Sequence, residues 1–256
     1  MRTLGRSAAG IRLGLDSGFD SGATLDYVYR NQAQGVSPLG RIIDRNYLDA
    51  IGWRGIRVRK AHLEQAIAYA AQRLRKAGHS VRMVDIAAGH GRYVLDAVAH
   101  LAAKPESVLL RDTSAANVQS GTALIQSAGL SANATFIHGD AFDEESLAAL
   151  TPAPTLAIAS GIYELFSDNS KVLTSLRGLA RSLLSGSYLI YTGQPWHPQL
   201  EFIARTLTSH REHRPWVMRR RTQQELDQLV TCSGFSKIEQ WIDEWGIFTV
   251  SVAVRK

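Results

Sequence analysis

Val84-Asp85-Ile86-Ala87-Ala88-Gly89-His90-Gly91-Arg92 is the stretch whose reading decides the fold. The apolar run over 81–86 predicts a strand and the spacing over 93–103 predicts a helix, so the stretch is the turn between them. Ala87, Ala88, Gly89 and Gly91 carry little or no side chain, which lets the backbone approach a ligand closely. The turn also sits at the carboxyl end of a strand, the binding edge of an open α/β sheet. A dinucleotide-binding turn reads G-x-G-x-x-G, and here the third glycine position is Val94. Asp85, four residues before the first glycine, suits a cationic ligand better than a pyrophosphate. Taken alone, the same turn also serves as a tight strand-to-helix connection with no ligand.

Working outward, the alternation continues. Strands are predicted over 107–111, 134–138, 155–159 and 187–192, separated by helices over 115–128, 144–150 and 170–184. Such a pattern implies a parallel sheet with helices on both faces, an α/β, Rossmann-like, doubly wound architecture. The end breaks the pattern. After a helix over 223–232 come two strand-like runs, 236–242 and 246–254, with only Asp243, Glu244 and Trp245 between them. That gap is too short for a helical crossover, so the two form an antiparallel hairpin. The expected sheet is therefore seven-stranded, mostly parallel, and closed by a C-terminal hairpin.

Each strand end carries a polar motif. Asp112, with Thr113 beside it, closes the second strand roughly 20 residues past the glycine turn, where an acidic residue can accept from both hydroxyls of a ribose. Asp140 and Ala141 follow the third strand; the carboxylate can accept from an adenine amino group and the backbone N–H of Ala141 can donate. Asp140 as N-cap of the next helix is the competing, compatible reading. Ser160 and Gly161 follow the fourth strand and offer backbone groups. Tyr163 and Glu164 lie just beyond, placed either to order an acceptor and take its proton or simply to pack a helix.

The chain has 256 residues, is 45% hydrophobic and has a formal net charge of +6. That suits one large α/β domain with an added helical segment. No run approaches the roughly 20 apolar residues of a membrane span, and a secretory leader pattern is absent from 1–22. A single cysteine, Cys232, precludes an internal disulfide and fits a reducing compartment, so a cytoplasmic location is expected. Residues 1–22 are rich in Gly, Ser and Arg and read as a flexible lead-in; 23–79 read as a helical segment, with helices over 41–53 and 55–77 and Gly78 as the terminator. The second of these opens on the basic residues Arg54, Arg57, Arg59 and Lys60. His210 and His213 have ligand-like spacing but no supporting Cys or acidic cluster, so no metal is expected.

Taken together, the four strand-end motifs resemble those of class I S-adenosylmethionine-dependent methyltransferases, and the hairpin fits that family, which ends its sheet on an antiparallel strand. Over 24–256 the chain is similar to a family of bacterial methyltransferases often fused behind an α/β-hydrolase. Asp26-Tyr27-Val28-Tyr29-Arg30-Asn31, Ile51-Gly52-Trp53-Arg54-Gly55-Ile56-Arg57, Gly193-Gln194-Pro195-Trp196-His197-Pro198 and Trp245-Gly246-Ile247-Phe248-Thr249 carry that likeness. No G-x-S-x-G elbow is present, so no hydrolase activity is expected of this chain.

The resemblance implies a methyltransferase domain over 80–256, S-adenosylmethionine as cofactor and S-adenosylhomocysteine as product, with the 23–79 segment covering the cofactor. It implies cofactor contacts from Asp85, Ala87, Ala88, Gly89, Gly91, Asp112, Thr113, Asp140, Ala141, Ser160 and Gly161. Tyr29 and Arg30 would join from the N-terminal segment, Arg30 through the cofactor carboxylate. Tyr27, Tyr29, Tyr163, Glu164 and His197 are the candidate bases or acceptor-positioning groups. The acceptor is expected to be a small molecule or a lipid headgroup; if Arg54, Arg57, Arg59 and Arg219-Arg220-Arg221 flank the pocket mouth, it is anionic. No nucleic acid is expected as partner, and an α/β-hydrolase domain is a candidate companion. Two other readings stand beside this one: a nicotinamide-dependent oxidoreductase, which the missing glycine and the hairpin disfavour, and a non-catalytic nucleotide or nucleic-acid binding protein on the same fold.

Overall fold

The computed structural model describes residues 5–256. Seven strands form one sheet in the order β3-β2-β1-β4-β5-β7-β6. These are β1 (Arg82–Asp85), β2 (Ser107–Asp112), β3 (Ala134–His138), β4 (Leu156–Ala159), β5 (Tyr188–Gly193), β6 (Phe235–Ile242) and β7 (Thr249–Arg255). The first five pair in parallel, while β7 runs antiparallel to both β5 and β6. The expected hairpin is present, with a connection of 243–248 rather than three residues. Buried Asp243 shapes it: its carboxylate accepts the amides of Trp245 at 2.9 Å, Ile247 at 3.1 Å and Phe248 at 2.6 Å.

Alternation along the strands divides the core into two layers, because successive side chains point to opposite faces. Met83, Leu110, Ile158, Ile190 and Val252 face one layer with Leu63, Ile67, Ala70 and Leu74 of α4 (Ile51–Lys76) and Val94 and Val98 of α5 (Arg92–His100). Val84, Ala157, Leu189 and Ala253 face the other, with Leu176 and Leu179 of α8 (Asn169–Ser182) and Leu226 and Val230 of α10 (Gln223–Cys232). α6 (Ala115–Ser127) and α7 (Glu144–Ala148) complete the crossovers. Strand order reverses between β1 and β4, which opens the crevice where ligands of open α/β sheets bind. Among the described residues, no helix is long and apolar enough to cross a membrane.

The stretch expected as a flexible lead-in is different over its described part. Residues 9–17 form α1 (Ala9–Ser17), packed on α2 (Gly22–Arg30) and α3 (Pro38–Leu48); residues 1–4 lie outside the described residues. The glycines that suggested looseness serve close packing: a Cβ on Gly10 would lie 2.6 Å from the Tyr47 ring, and one on Gly14 would lie 2.4 Å from the Phe19 ring. Asp44, with no solvent exposure, fastens the three helices by accepting from the Gly10 amide at 2.7 Å, the Gln34 amide at 2.9 Å and the Tyr27 hydroxyl. A third apolar cluster, with Phe19, Val28, Leu48, Trp53, Ile203, Trp216 and Phe248, then sits over the carboxyl edge of the sheet. Ile203 comes from α9 (Leu200–Thr206), an element the sequence pattern does not announce.

Candidate active site

Two cavities meet above the carboxyl ends of the parallel strands. The larger, ≈770 Å³, is walled by the glycine turn, the ends of β2, β3 and β4, and residues of α2. Ala87, Ala88, Gly89, Gly91, Asp112, Thr113, Asp140, Ala141, Ser160, Gly161 and Tyr29 all line it, so the geometry brings together residues from four strand ends and the N-terminal segment.

The turn depends on its glycines. Gly89 and Gly91 have φ values of +59° and +76°, a region that side chains oppose. A Cβ on Gly91 would meet the Leu110 side chain at 2.4 Å. Asp112 is fixed from three directions: Oδ2 accepts the Gly89 amide at 3.0 Å, while Oδ1 accepts the Ser114 amide at 2.8 Å and Asn117 Nδ2 at 3.0 Å. The glycine turn and the second strand end are thereby tied by one carboxylate. Asp140 Oδ1 accepts the Phe142 amide at 2.8 Å and is exposed; the N-cap of α7 is Asp143 instead. Beside them Phe142 packs edge-on against Phe166 at 4.4 Å, with the Lys171 ammonium 5.1 Å from the Phe166 ring.

Several expected site residues have other roles. Asp85 does not line the cavity: its carboxylate is fully buried, accepts the Tyr93 hydroxyl and the Ala87 amide, and supports the turn from behind. Burial pushes its pKa up to about 7, with the nearby Asp112 charge adding to the rise and the two hydrogen bonds opposing it. Arg30 does not line the cavity either. It pairs with Asp26 at 3.1 Å and is 41% exposed, because the helix places it four residues on from that carboxylate. Asp26 does line the cavity, where Arg92 also holds it. Tyr27 donates to Asp44 inside the helical layer, and Tyr163 points into the core, its hydroxyl 3.1 Å from Ser175 Oγ. The Gly161 amide donates to Thr192 Oγ1 at 2.9 Å, so it is the loop's anchor to β5.

The second cavity, ≈370 Å³, is walled mainly by apolar side chains of the helical layer, among them Ile11, Phe19, Trp53, Ile56, Trp216 and Phe248. Its polar wall includes Arg59, Glu164, Gln194, Gln199, His197 and Asp20. Asp20, Leu25, Arg59, Gly161 and Leu165 line both cavities and mark their junction. Burial works to raise the Asp20 pKa, but hydrogen bonds from His210 and Ser209, with the His210 charge, outweigh it and hold the group below the usual range.

Arg59 is the residue that motif reading undervalues. It stands out in the sequence only as one of four basic residues at a helix start, yet it reaches inward, with Nη1 3.3 Å from Glu164 Oε1 and Cζ 5.0 Å from the Phe248 ring centroid. The other arginines expected at the pocket mouth, Arg54, Arg57, Arg219, Arg220 and Arg221, line neither cavity. Arg54 lies on Trp245, Arg57 donates to the Leu48 carbonyl, and Arg219 pairs with Glu225. Arg221 clamps the loop after β4 through the carbonyls of Tyr163 and Phe166. His197 lines the apolar cavity with its pKa lowered by burial, against a smaller opposing pull from Asp243. Its Nδ1 accepts the Gln199 amide at 3.0 Å, so the neutral ring carries its hydrogen on Nε2. With Nδ1 engaged as an acceptor, the remaining ring nitrogen is a donor, and the base role expected of His197 does not suit that tautomer.

The comparisons agree with the fold. A family model described as "Putative methyltransferase" matches residues 1–255. "Uncharacterized protein YnbC" of Escherichia coli (strain K12) is 56% identical over 256 residues, all of this chain and 44% of that protein, so the chain spans less than half the length of this curated relative. Among solved structures, magnesium protoporphyrin IX methyltransferase (ChlM) from Synechocystis PCC 6803, with bound SAH, superposes with a TM-score of 0.63 at 15% identity, covering 94% of this chain and 98% of that one. A possible exported protein from Bordetella parapertussis superposes with a TM-score of 0.71 at 16% identity, covering 92% and 79%. The fold is that of the class I methyltransferases, and the chain belongs to the "Putative methyltransferase" family.

Proposed function

We propose that the chain transfers a methyl group from S-adenosylmethionine to a small-molecule or lipid-like acceptor. The observation that carries this reading is the pair of joined cavities: one lined by the glycine turn and the strand-end carboxylates, the other apolar, meeting at Arg59 and Gly161. The larger wall fits an S-adenosyl compound. Asp112 is held at the rim of the glycine turn where a ribose diol would be received, and Asp140 and the Ala141 amide would meet the adenine end. When bound, S-adenosylmethionine supplies a methyl group already activated on a sulfonium centre.

The protein's work is then to align and to exclude water. The helical layer closes over the carboxyl edge, and an acceptor held beneath it would be aligned against the larger cavity. Glu164, in the wall of the apolar cavity beside the junction residue Arg59, would receive an acceptor proton. Tyr29, edge-on to Tyr93 at 6.5 Å, backs the glycine turn from the N-terminal side.

Isothermal titration with S-adenosylhomocysteine and with NAD tests the reading. It predicts micromolar or tighter binding of the first and none of the second; the reverse result would sink it. Two companions to this reading are also proposed. The exposed free thiol of Cys232 supports a cytoplasmic setting. The greater length of the relative supports a partner domain, for which an α/β-hydrolase is our choice.

A further inference from the structure

Resting on the methyltransferase reading, we propose that the ≈370 Å³ cavity takes an uncharged, planar, phenol-like acceptor, held with its hydroxyl at the Arg59–Glu164 pair. Three observations converge on that class.

First, the walls are apolar and rich in rings. Trp53 and Trp216 stack at 6.0 Å and 24°, Tyr47 stands edge-on to Trp53 at 5.5 Å, and Phe248 closes the side nearest Arg59. Flat aromatic faces and edges match a planar ring better than a flexible chain. Second, the charges cancel. Arg59 and Glu164 neutralise each other with side chains 3% and 9% exposed, and Asp20 is met by His210 and Ser209. An anionic head would face Glu164 and a cationic one Arg59, so a neutral molecule is the one that no wall group repels.

Third, the wall residues hold polar atoms with no partner among the described residues: Arg59 Nε, Gln194 Nε2 and Trp216 Nε1 as donors, Glu164 Oε2 as an acceptor, and the Tyr47 hydroxyl as either. His197 Nε2–H adds a donor. Donors outnumber acceptors, which calls for a ligand with several oxygen acceptors and one hydroxyl. The hydroxyl donates to Glu164 Oε2, and the further oxygens accept from Arg59, Gln194 or His197.

The test is calorimetric titration of the full chain, with S-adenosylhomocysteine present, using 2-naphthol, naphthalene-2-carboxylate and decan-1-ol as probes. The proposal predicts that 2-naphthol binds at least tenfold more tightly than either of the others. It also predicts that Ile56→Trp, which fills the cavity, abolishes that binding while S-adenosylhomocysteine affinity stays within twofold. Leu207→Trp serves the same purpose if the first variant does not fold. Equal or tighter binding of the carboxylate or the alkanol overturns the ligand class. Unchanged 2-naphthol binding in a folded, cavity-filled variant overturns the site. S-adenosylhomocysteine binding with no probe binding also overturns this inference and leaves the methyltransferase reading standing; probe binding without S-adenosylhomocysteine binding overturns the methyltransferase reading, and the acceptor role with it.

Discussion

Arg59 Nη1 lies 3.3 Å from Glu164 Oε1, a contact between residues 105 positions apart that joins the longest helix to the loop after the fourth strand. Both side chains are buried, so neither charge can be left alone cheaply. Arg59→Ala should cost about 3–5 kcal/mol of stability, because it strands a buried carboxylate. Arg59→Met combined with Glu164→Leu should be closer to wild type than either single change. Urea unfolding of the four proteins reads this directly, and additive losses would refute the coupling.

Asp112 links the glycine turn to the second strand end through hydrogen bonds to Gly89, Ser114 and Asn117. Asp112→Ala should weaken S-adenosylhomocysteine binding roughly ten- to hundredfold, the range expected for losing hydrogen bonds to a charged group. Asp112→Asn should lose less. Calorimetry that finds an unchanged affinity in the alanine variant would remove Asp112 from the cofactor site.

Asp85 gives the protein a pH dependence of unusual sign for a carboxylate. Burial lifts its pKa to about 7 from an ordinary 3.8. Between those values the folded protein holds a proton that the unfolded chain releases, so stability from this group falls as pH rises through the window and levels off above 7. The full swing is on the order of 4 kcal/mol. Asp85→Asn should therefore gain on wild type steadily from pH 4 to pH 7 in chemical denaturation. A constant difference between the two proteins over that range would show that Asp85 is not the group titrating.

Gly22 begins α2 directly against the glycine turn. A Cβ there would lie 2.6 Å from Asn117 Oδ1 and 2.9 Å from the Gly89 Cα. Gly22→Ala should push the helix off the turn and weaken S-adenosylhomocysteine binding by tenfold or more, while the sheet core remains folded. Calorimetry paired with far-ultraviolet circular dichroism separates the two effects.

The sheet and its binding edge were legible because each signal is local. Asp112 stands at a strand end, Asp140 two residues past one, and the short gap between the last two strands leaves no room for a helix. The apolar cavity was not legible, since its contacts span the chain: Asp20 meets His210 across 190 residues, and Arg59 meets Glu164 across 105. Neighbouring residues were also indistinguishable without the backbone, as the turn after β4 sends Tyr163 into the core and Glu164 to the cavity. The misreading of 5–22 has a comparable cause, because glycine marks a tight helix contact as readily as a loose chain.

The segment of α1 and α2 supplies wall to both cavities: Ile11, Leu15 and Phe19 to the apolar one, Ser17, Ser21, Asp26 and Tyr29 to the larger one, with Asp20 and Leu25 in common. A ligand that steadies this shared wall from one side prepares it for the other. The two affinities are then linked thermodynamically, and whatever factor the first ligand contributes to binding of the second, the second must return to the first. Saturation of either site would be felt at both, with α1 and α2 as the element that carries the message.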